Sequence, residues 1–230
     1  MSKILLLETS TALCSAAIAS DNGIAAYIQS DESRAHASKC AVFIDELLKR
    51  TGLQCSDLCA VAVSSGPGSY TGLRVGSSTA KGICFGASVP LIAVSTPEIL
   101  VWQAIDEGLV PDGCTHIIPM IDARRMEVYT AVYSAGGALQ QEIRAEVVEE
   151  GSFADILNDG PCLFIGDGAL KCREVLNHPN ARFEQCCPKA SAMLHPALEA
   201  LKEKRFESTA YFEPFYLKDF VATVSGKKLF

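Results

Sequence analysis

The sequence predicts an α/β protein built of two mixed-sheet lobes, and three observations carry that expectation. Apolar runs without alternation, such as Ile4-Leu5-Leu6-Leu7 and Ile117-Ile118-Pro119-Met120-Ile121, belong to strands covered on both faces. Strand-like and helix-like segments alternate through the first half, as in a layered sheet. Each half also opens the same way, with a buried strand, a polar turn and then an antiparallel ribbon.

Residues 3–8 form the first buried strand, and Thr9-Ser10-Thr11 the turn after it. Strand-like runs at 13–19 and 24–29 flank Asp21-Asn22-Gly23, and Asn-Gly between such runs signals a hairpin. A helix is expected over 34–51, because Ala37, Cys40/Ala41, Ile44 and Leu47/Leu48 recur at helical spacing and Gly52 supplies the cap. Strand 59–64, a glycine-rich turn, a helix over 71–86, strand 90–94 and a helix over 96–107 follow. Pro111-Asp112-Gly113 marks the lobe boundary. The first lobe is thus expected at 1–108 and the second at 109–230, with a late helix near 190–204 joining the first. In the second half, strands are expected at 117–122, 126–133, 138–148 and 162–165. A further helix is expected from Ala169, after Gly166-Asp167-Gly168.

Composition excludes several classes. With 49% hydrophobic and 20% charged residues and a mean hydropathy of +0.20, the chain has a sizeable core to bury. The net charge of -7 argues against an autonomous nucleic-acid binder. The clustered cations in the sequence are Lys202/Lys204/Arg205 and Lys227/Lys228, so RNA contact is expected to be indirect, through a partner. Cys14, Cys59, Cys84 and Cys162 lie in apolar runs, and no cysteine spacing matches a zinc motif. No run approaches the ~20 apolar residues of a membrane span, and Glu8 interrupts the apolar start. The expected location is the cytoplasm, with reduced cysteines.

The most distinctive segment is Ser65-Gly66-Pro67-Gly68-Ser69-Tyr70-Thr71-Gly72-Leu73-Arg74-Val75-Gly76. Glycines between a buried strand and a helix N-terminus let backbone N–H groups converge, so Gly66, Gly68, Ser69, Thr71 and Gly72 form a candidate phosphate loop. The alternative is a tight turn packed closely. A Walker A ending is absent. Along the following helix Gly72, Gly76, Thr79, Ile83 and Gly86 make a stripe of small residues, which lets helix backbones approach. With His36, Cys40 and Ile44 on the preceding helix, Gly72, Gly76, Thr79 and Ile83 form the candidate partner interface. On this view a Gly76→Arg variant keeps the monomer folded and abolishes the complex. His36, His116, His178 and His195 are scattered without ligand spacing. Asp122 and Asp167 stand at strand ends, where they either cap turns or, in a kinase, hold magnesium or act as base.

Topologically the duplicated halves resemble the actin-like, sugar-kinase and Hsp70 ATPase (ASKHA) superfamily. In order along the chain come Lys3–Thr11, Ser33-Arg34-Ala35-His36, Gly66–Gly76, Ile121-Asp122-Ala123-Arg124, Gly166-Asp167-Gly168-Ala169 and Glu213-Pro214-Phe215-Tyr216-Leu217-Lys218. Together they closely resemble the TsaB family. Glu8 stands where that family usually has Asp, and Lys218 where it often has Arg.

The resemblance implies a non-catalytic scaffold that heterodimerises with TsaD in forming N6-threonylcarbamoyladenosine at position 37 of tRNAs reading ANN codons. It further implies TsaE bound through the TsaB–TsaD pair, TsaC supplying the activated threonylcarbamoyl group, tRNA engaged indirectly, and a homodimer when the partner is absent. TsaD's metal-binding His-x3-His pair would fall at Thr96 and Leu100, which cannot replace imidazoles. No cofactor is expected beyond ATP or ADP at the partner interface. The alternative is a nucleotide-binding protein or a weak kinase- or peptidase-like enzyme of the same superfamily.

Overall fold

The computed structural model describes residues 2–32 and 36–218. Ser33-Arg34-Ala35 and the cations Lys227 and Lys228 lie outside the described residues. The first sheet consists of β1 (Lys3–Glu8), β2 (Cys14–Ser20), β3 (Gly23–Ser30), β4 (Ala60–Gly66) and β5 (Leu91–Ser95), in the order β3-β2-β1-β4-β5. β1 pairs antiparallel with β2 (Leu5 opposite Ile18) and parallel with β4 (Leu5 opposite Val61). The second sheet consists of β6 (His116–Asp122), β7 (Glu127–Ser134), β8 (Leu139–Val147), β9 (Cys162–Ile165) and β10 (Ala181–Glu184), in the order β10-β9-β6-β7-β8. Here β6 pairs antiparallel with β7 and parallel with β9. Each sheet thus has its opening strand at the centre, an antiparallel ribbon on one side and parallel strands on the other. This is the expected duplicated actin-like arrangement. Pro119 lacks the N–H a central strand needs, and the β6–β7 register passes over Ile118 and Pro119.

Helices cover the first sheet on both faces. α1 (His36–Thr51) turns Cys40, Phe43, Ile44 and Leu47 inward over β2 and β3, ends in Lys49 and Arg50, and closes at Gly52 with φ +67°. α2 (Tyr70–Ala87) starts at Ser69, whose Oγ accepts the Gly72 N–H at 3.3 Å. α3 (Thr96–Asp106) starts at Ser95, whose Oγ accepts the Glu98 N–H. α3 lies between the lobes. Ile99 enters the core beneath the first sheet, whereas Leu100, Val101 and Ala104 enter the core of the second.

The chain returns late to the first lobe. A 3-10 turn, Ala190–Met193, and α5 (Leu194–Glu203) place Ala190, Ala192, Met193, Ala197 and Ala200 against Ile4, Leu6, Ala62 and Ile92. From there the Glu207 N–H bonds the Leu91 carbonyl at 2.8 Å, and Lys81 of α2 donates to the carbonyls of Ala210 and Phe212 at 3.2 and 3.1 Å. The Phe215 N–H reaches the Ser65 carbonyl at 2.7 Å, and Lys218 pairs with Glu127 of the second lobe. Residues 207–218 are therefore a strap across one lobe that ends on the other.

The second lobe departs from expectation in its connections. The helix expected from Ala169 is only a 3-10 turn, Leu170–Cys172, inside a run of tight turns that ends at Leu176. Pro179 bars helical continuation just before β10 begins. α4 (Ala154–Asp159) and β10, six and four residues long, are too short to register as periodic patterns. Among the described residues no helix is long and apolar enough to cross a membrane.

Because Leu100 is fully buried where α3 meets the second sheet, Leu100→Ala should lower unfolding free energy by about 2–5 kcal/mol in urea titration.

Candidate functional site

The glycine-rich segment meets the turn after β1. The Ser69 N–H bonds the Ser10 carbonyl at 2.6 Å. A Cβ on Gly68 would stand 2.3 Å from the Ser10 carbonyl oxygen, and one on Gly72 2.0 Å from that of Thr9. A Cβ on Gly76 would stand 2.2 Å from Thr9 Oγ1, which itself donates to the Gly72 carbonyl at 2.8 Å. Gly66, with φ +102°, faces the Phe215 carbonyl of the strap, 2.8 Å from where its Cβ would be. The strap and this loop also touch through the rings of Tyr70 and Tyr216, 4.9 Å apart, with the Arg74 guanidinium 4.6 Å from the Tyr70 centroid.

This geometry corrects two expectations. Within the candidate phosphate loop Phe215, Ser10 and Thr9 occupy the space at Gly66, Gly68 and Gly72, so those glycines serve close packing, whereas Ser69 and Thr71 are exposed. Nor do Gly72 and Gly76 form a partner surface: both are buried against Thr9, so the glycines admit a turn to a helix and not a second helix. Cys40 and Ile44 are likewise buried in the first-lobe core, and Thr79, beside Cys40, and Ile83 are half-buried along the α1–α2 seam, as His36 is at the start of α1. The Gly76→Arg variant cannot spare the fold, since even a methyl group has no room there.

The outward face of these helices is one step around the wheel. On α1 it presents Ser38, Ala41 and Val42, and on α2 Ser78, Gly82, Phe85 and Gly86. Phe85 is 85% exposed and Val42 56%, while a Cβ on Gly82 or Gly86 would meet nothing within 4 Å. Small residues around an exposed phenyl ring form a shallow apolar surface open to another protein.

Glu8 ends β1 beneath this arrangement and is fully buried. Its Oε1 accepts the Ser10 N–H at 2.5 Å, whereas Oε2 has no protein partner. Burial pushes its carboxyl up to about 7. It braces its own turn, the turn that supports α2.

At the matching place in the second lobe, Asp122 ends β6 and its Oδ1 accepts the Arg124 N–H at 2.8 Å while pairing with Lys171. Asp167 Oδ1 accepts the Asp122 N–H at 2.9 Å, and burial holds its carboxyl above the usual range. Both carboxylates hold turns. The hairpin tip between β6 and β7 carries Arg124 and Arg125, exposed, with φ of +69° and +50°. For a residue with a Cβ this conformation costs about 1–2 kcal/mol. Nothing in the sequence pattern announced that strain.

Thr96 begins α3, and Leu100, one turn on, is fully buried in the core of the second lobe, so neither side chain faces an open site. The histidines stay apart: Nδ1 of His178 accepts the Asn180 N–H, and His195 stacks on Trp102 beside Asp106. Among the described residues no group of three His, Cys, Asp or Glu side chains is placed to hold a metal ion.

Comparison with known proteins adds the following. The family model described as tRNA N6-adenosine threonylcarbamoyltransferase (TsaD) matches residues 24–225. The tRNA threonylcarbamoyladenosine biosynthesis protein TsaB of Escherichia coli K12 is 28% identical, over 96% of this chain and 96% of that protein. The protein of the same name from Bacillus subtilis 168 is 34% identical, over 71% of this chain and 70% of the relative. A Pseudomonas aeruginosa crystal structure, described as an uncharacterized protein with similarity to peptidase YEAZ, superposes with a TM-score of 0.83 at 27% identity, covering 95% of this chain and all of that one.

Two measurements check the site. Gly76→Ala should destabilise by about 1–3 kcal/mol or prevent folding, while Gly82→Ala, in open space on the same helix, should stabilise by roughly 0.5–1 kcal/mol, both read by thermal melting. Glu8 binds its proton more tightly folded than unfolded, so its contribution is full below the ordinary carboxylate range and is lost as pH rises towards about 7. Glu8→Gln should therefore stabilise by roughly 2–4 kcal/mol at pH 8 and by close to nothing at pH 4.

Proposed function

The chain belongs to the TsaD family of tRNA N6-adenosine threonylcarbamoyltransferases, in its TsaB branch, and from that premise we propose that it is a non-catalytic subunit that heterodimerises with TsaD. Its role is in threonylcarbamoyladenosine biosynthesis on tRNA. The observation that carries the subunit reading is the outward face of α1 and α2, where Phe85 stands exposed beside Gly82 and Gly86 of its own helix and Val42 is exposed on α1. A helix pair whose outer surface is small and apolar is suited to receive a second helix pair closely. The same face would serve a homodimer when the partner is absent.

Catalysis would then lie on the partner. Thr96 and Leu100 at the start of α3 are both buried and lack imidazole, which supports a chain that positions another subunit without transferring the group itself. The close packing at Gly66, Gly68 and Gly72 supports locating any ATP or ADP between partners and not against these glycines. TsaE would join through the assembled pair.

Phe85→Glu leaves the core untouched and should weaken TsaD binding at least about 100-fold by titration calorimetry, without lowering the melting temperature. Reconstituted tRNA threonylcarbamoylation should fall in parallel and be absent when the chain is omitted. Unchanged TsaD affinity would refute this interface, and full product without the chain would refute the role.

A further inference from the structure

The strap runs along α2 in the opposite direction, and three contacts fix its course. The Glu207 N–H bonds the Leu91 carbonyl just past the end of the helix. Lys81 Nζ donates to the carbonyls of Ala210 and Phe212, and the Tyr216 ring meets Tyr70 at the start of the helix. Tyr70, Arg74, Lys81 and Phe85 are spaced by 4, 7 and 4 residues, so they share one edge of α2. The seam with α1 follows the other edge, where Val75, Thr79 and Ile83 recur every four residues. Phe85 therefore stands on the strap's side of the outward face. Along the strap Phe212 turns into the first-lobe core and Tyr211 turns out. Tyr211 is 86% exposed, and it and Phe85 are the two most exposed large apolar side chains among the described residues. Both carbonyls that Lys81 binds belong to the immediate neighbours of Tyr211, and Lys81 lies one turn before Phe85. One ammonium group thus holds the segment carrying Tyr211 against the helix edge that carries Phe85.

A stable interface takes about 20–30 residues from each partner, with aromatic anchors near its centre. The outward face of α1 and α2 supplies far fewer, most of them Gly, Ala or Ser, so an interface there has to continue onto a neighbouring element. We propose that it continues across α2 onto the strap, with Tyr211 as a second aromatic anchor for TsaD and Lys81 as the positioning residue that holds it. The surface is then three elements wide, with Val42 on α1, Phe85 on α2 and Tyr211 on the strap. The proposal rests on the subunit reading for its partner, and adds to it a segment remote in sequence from both helices.

The test measures TsaD affinity by titration calorimetry for the full chain and for Tyr211→Ala, Lys81→Met, Lys81→Arg, Y211A/K81M and Phe85→Glu. Tyr211→Ala should weaken binding about tenfold at an unchanged melting temperature, since the ring lies outside the core. Lys81→Met should weaken it by a similar factor and the double variant no further. Lys81→Arg keeps N–H donors for the two carbonyls and should bind as the wild type does. Unchanged affinity in Tyr211→Ala beside a weakened Phe85→Glu would overturn the proposal and leave the helix face standing. Unchanged affinity in both would refute the helix face, and the strap anchor with it. Losses from Tyr211→Ala and Lys81→Met that simply multiply in the double variant would refute the positioning role of Lys81. Weakened self-association of Tyr211→Ala with TsaD affinity intact would assign the strap to a second copy of the chain, and would equally overturn the proposal.

Discussion

The contact between the turn after β1 and the first two turns of α2 sets much else in this molecule. Thr9 and Ser10 press so closely on Gly68, Gly72 and Gly76 that hydrogen atoms stand where other residues carry a side chain. That approach seats α2 on the first sheet against β4, and α2 in turn receives α1 along one side and the strap along another. The outward face carrying Phe85 is where it is because the opposite face of the helix is committed to the turn. Glu8 belongs to the same contact. It holds the Ser10 N–H from below while the Ser10 carbonyl accepts from Ser69 above.

The lobes are tied by exchange. α3 leaves the first sheet to fill the core of the second, and α5 leaves the second to fill the underside of the first. Neither sheet covers both of its faces with helices from its own run of chain, so each lobe's core depends on the other's sequence. The strap adds a third tie on the opposite side. An arrangement of this kind ties the start of β7 to the segment that lies along α2.

How much of this was legible beforehand can be judged residue by residue. Strands β1, β4, β6 and β9 were plain from their unbroken apolar runs, and α1 from Cys40, Ile44 and Leu47 at helical spacing. The glycines of α2 were seen, but their neighbour was not. A small residue at helical spacing says that something comes close without saying whether it is a helix or a turn, so Gly72 and Gly76 were assigned outward when they face inward. Long-range placement was the harder matter. Phe215 over Gly66 and Lys218 beside Glu127 join positions distant along the chain, and no local pattern encodes such a meeting. The left-handed arginines at 124 and 125 were invisible for the opposite reason: local preference points away from what the fold imposes.

The late return of Ala190–Met193 and α5 to the first sheet bears on how the protein is made. Ile4, Leu6, Ala62 and Ile92 lie bare on one face until Ala192, Met193 and Ala200 have been synthesised, long after the strands that carry them could pair. During translation the N-terminal sheet therefore waits, half clothed and apolar, for the last quarter of the polypeptide. For such a chain the order of synthesis matters: the first lobe's underside gains its cover only when α5 has emerged and folded back onto it.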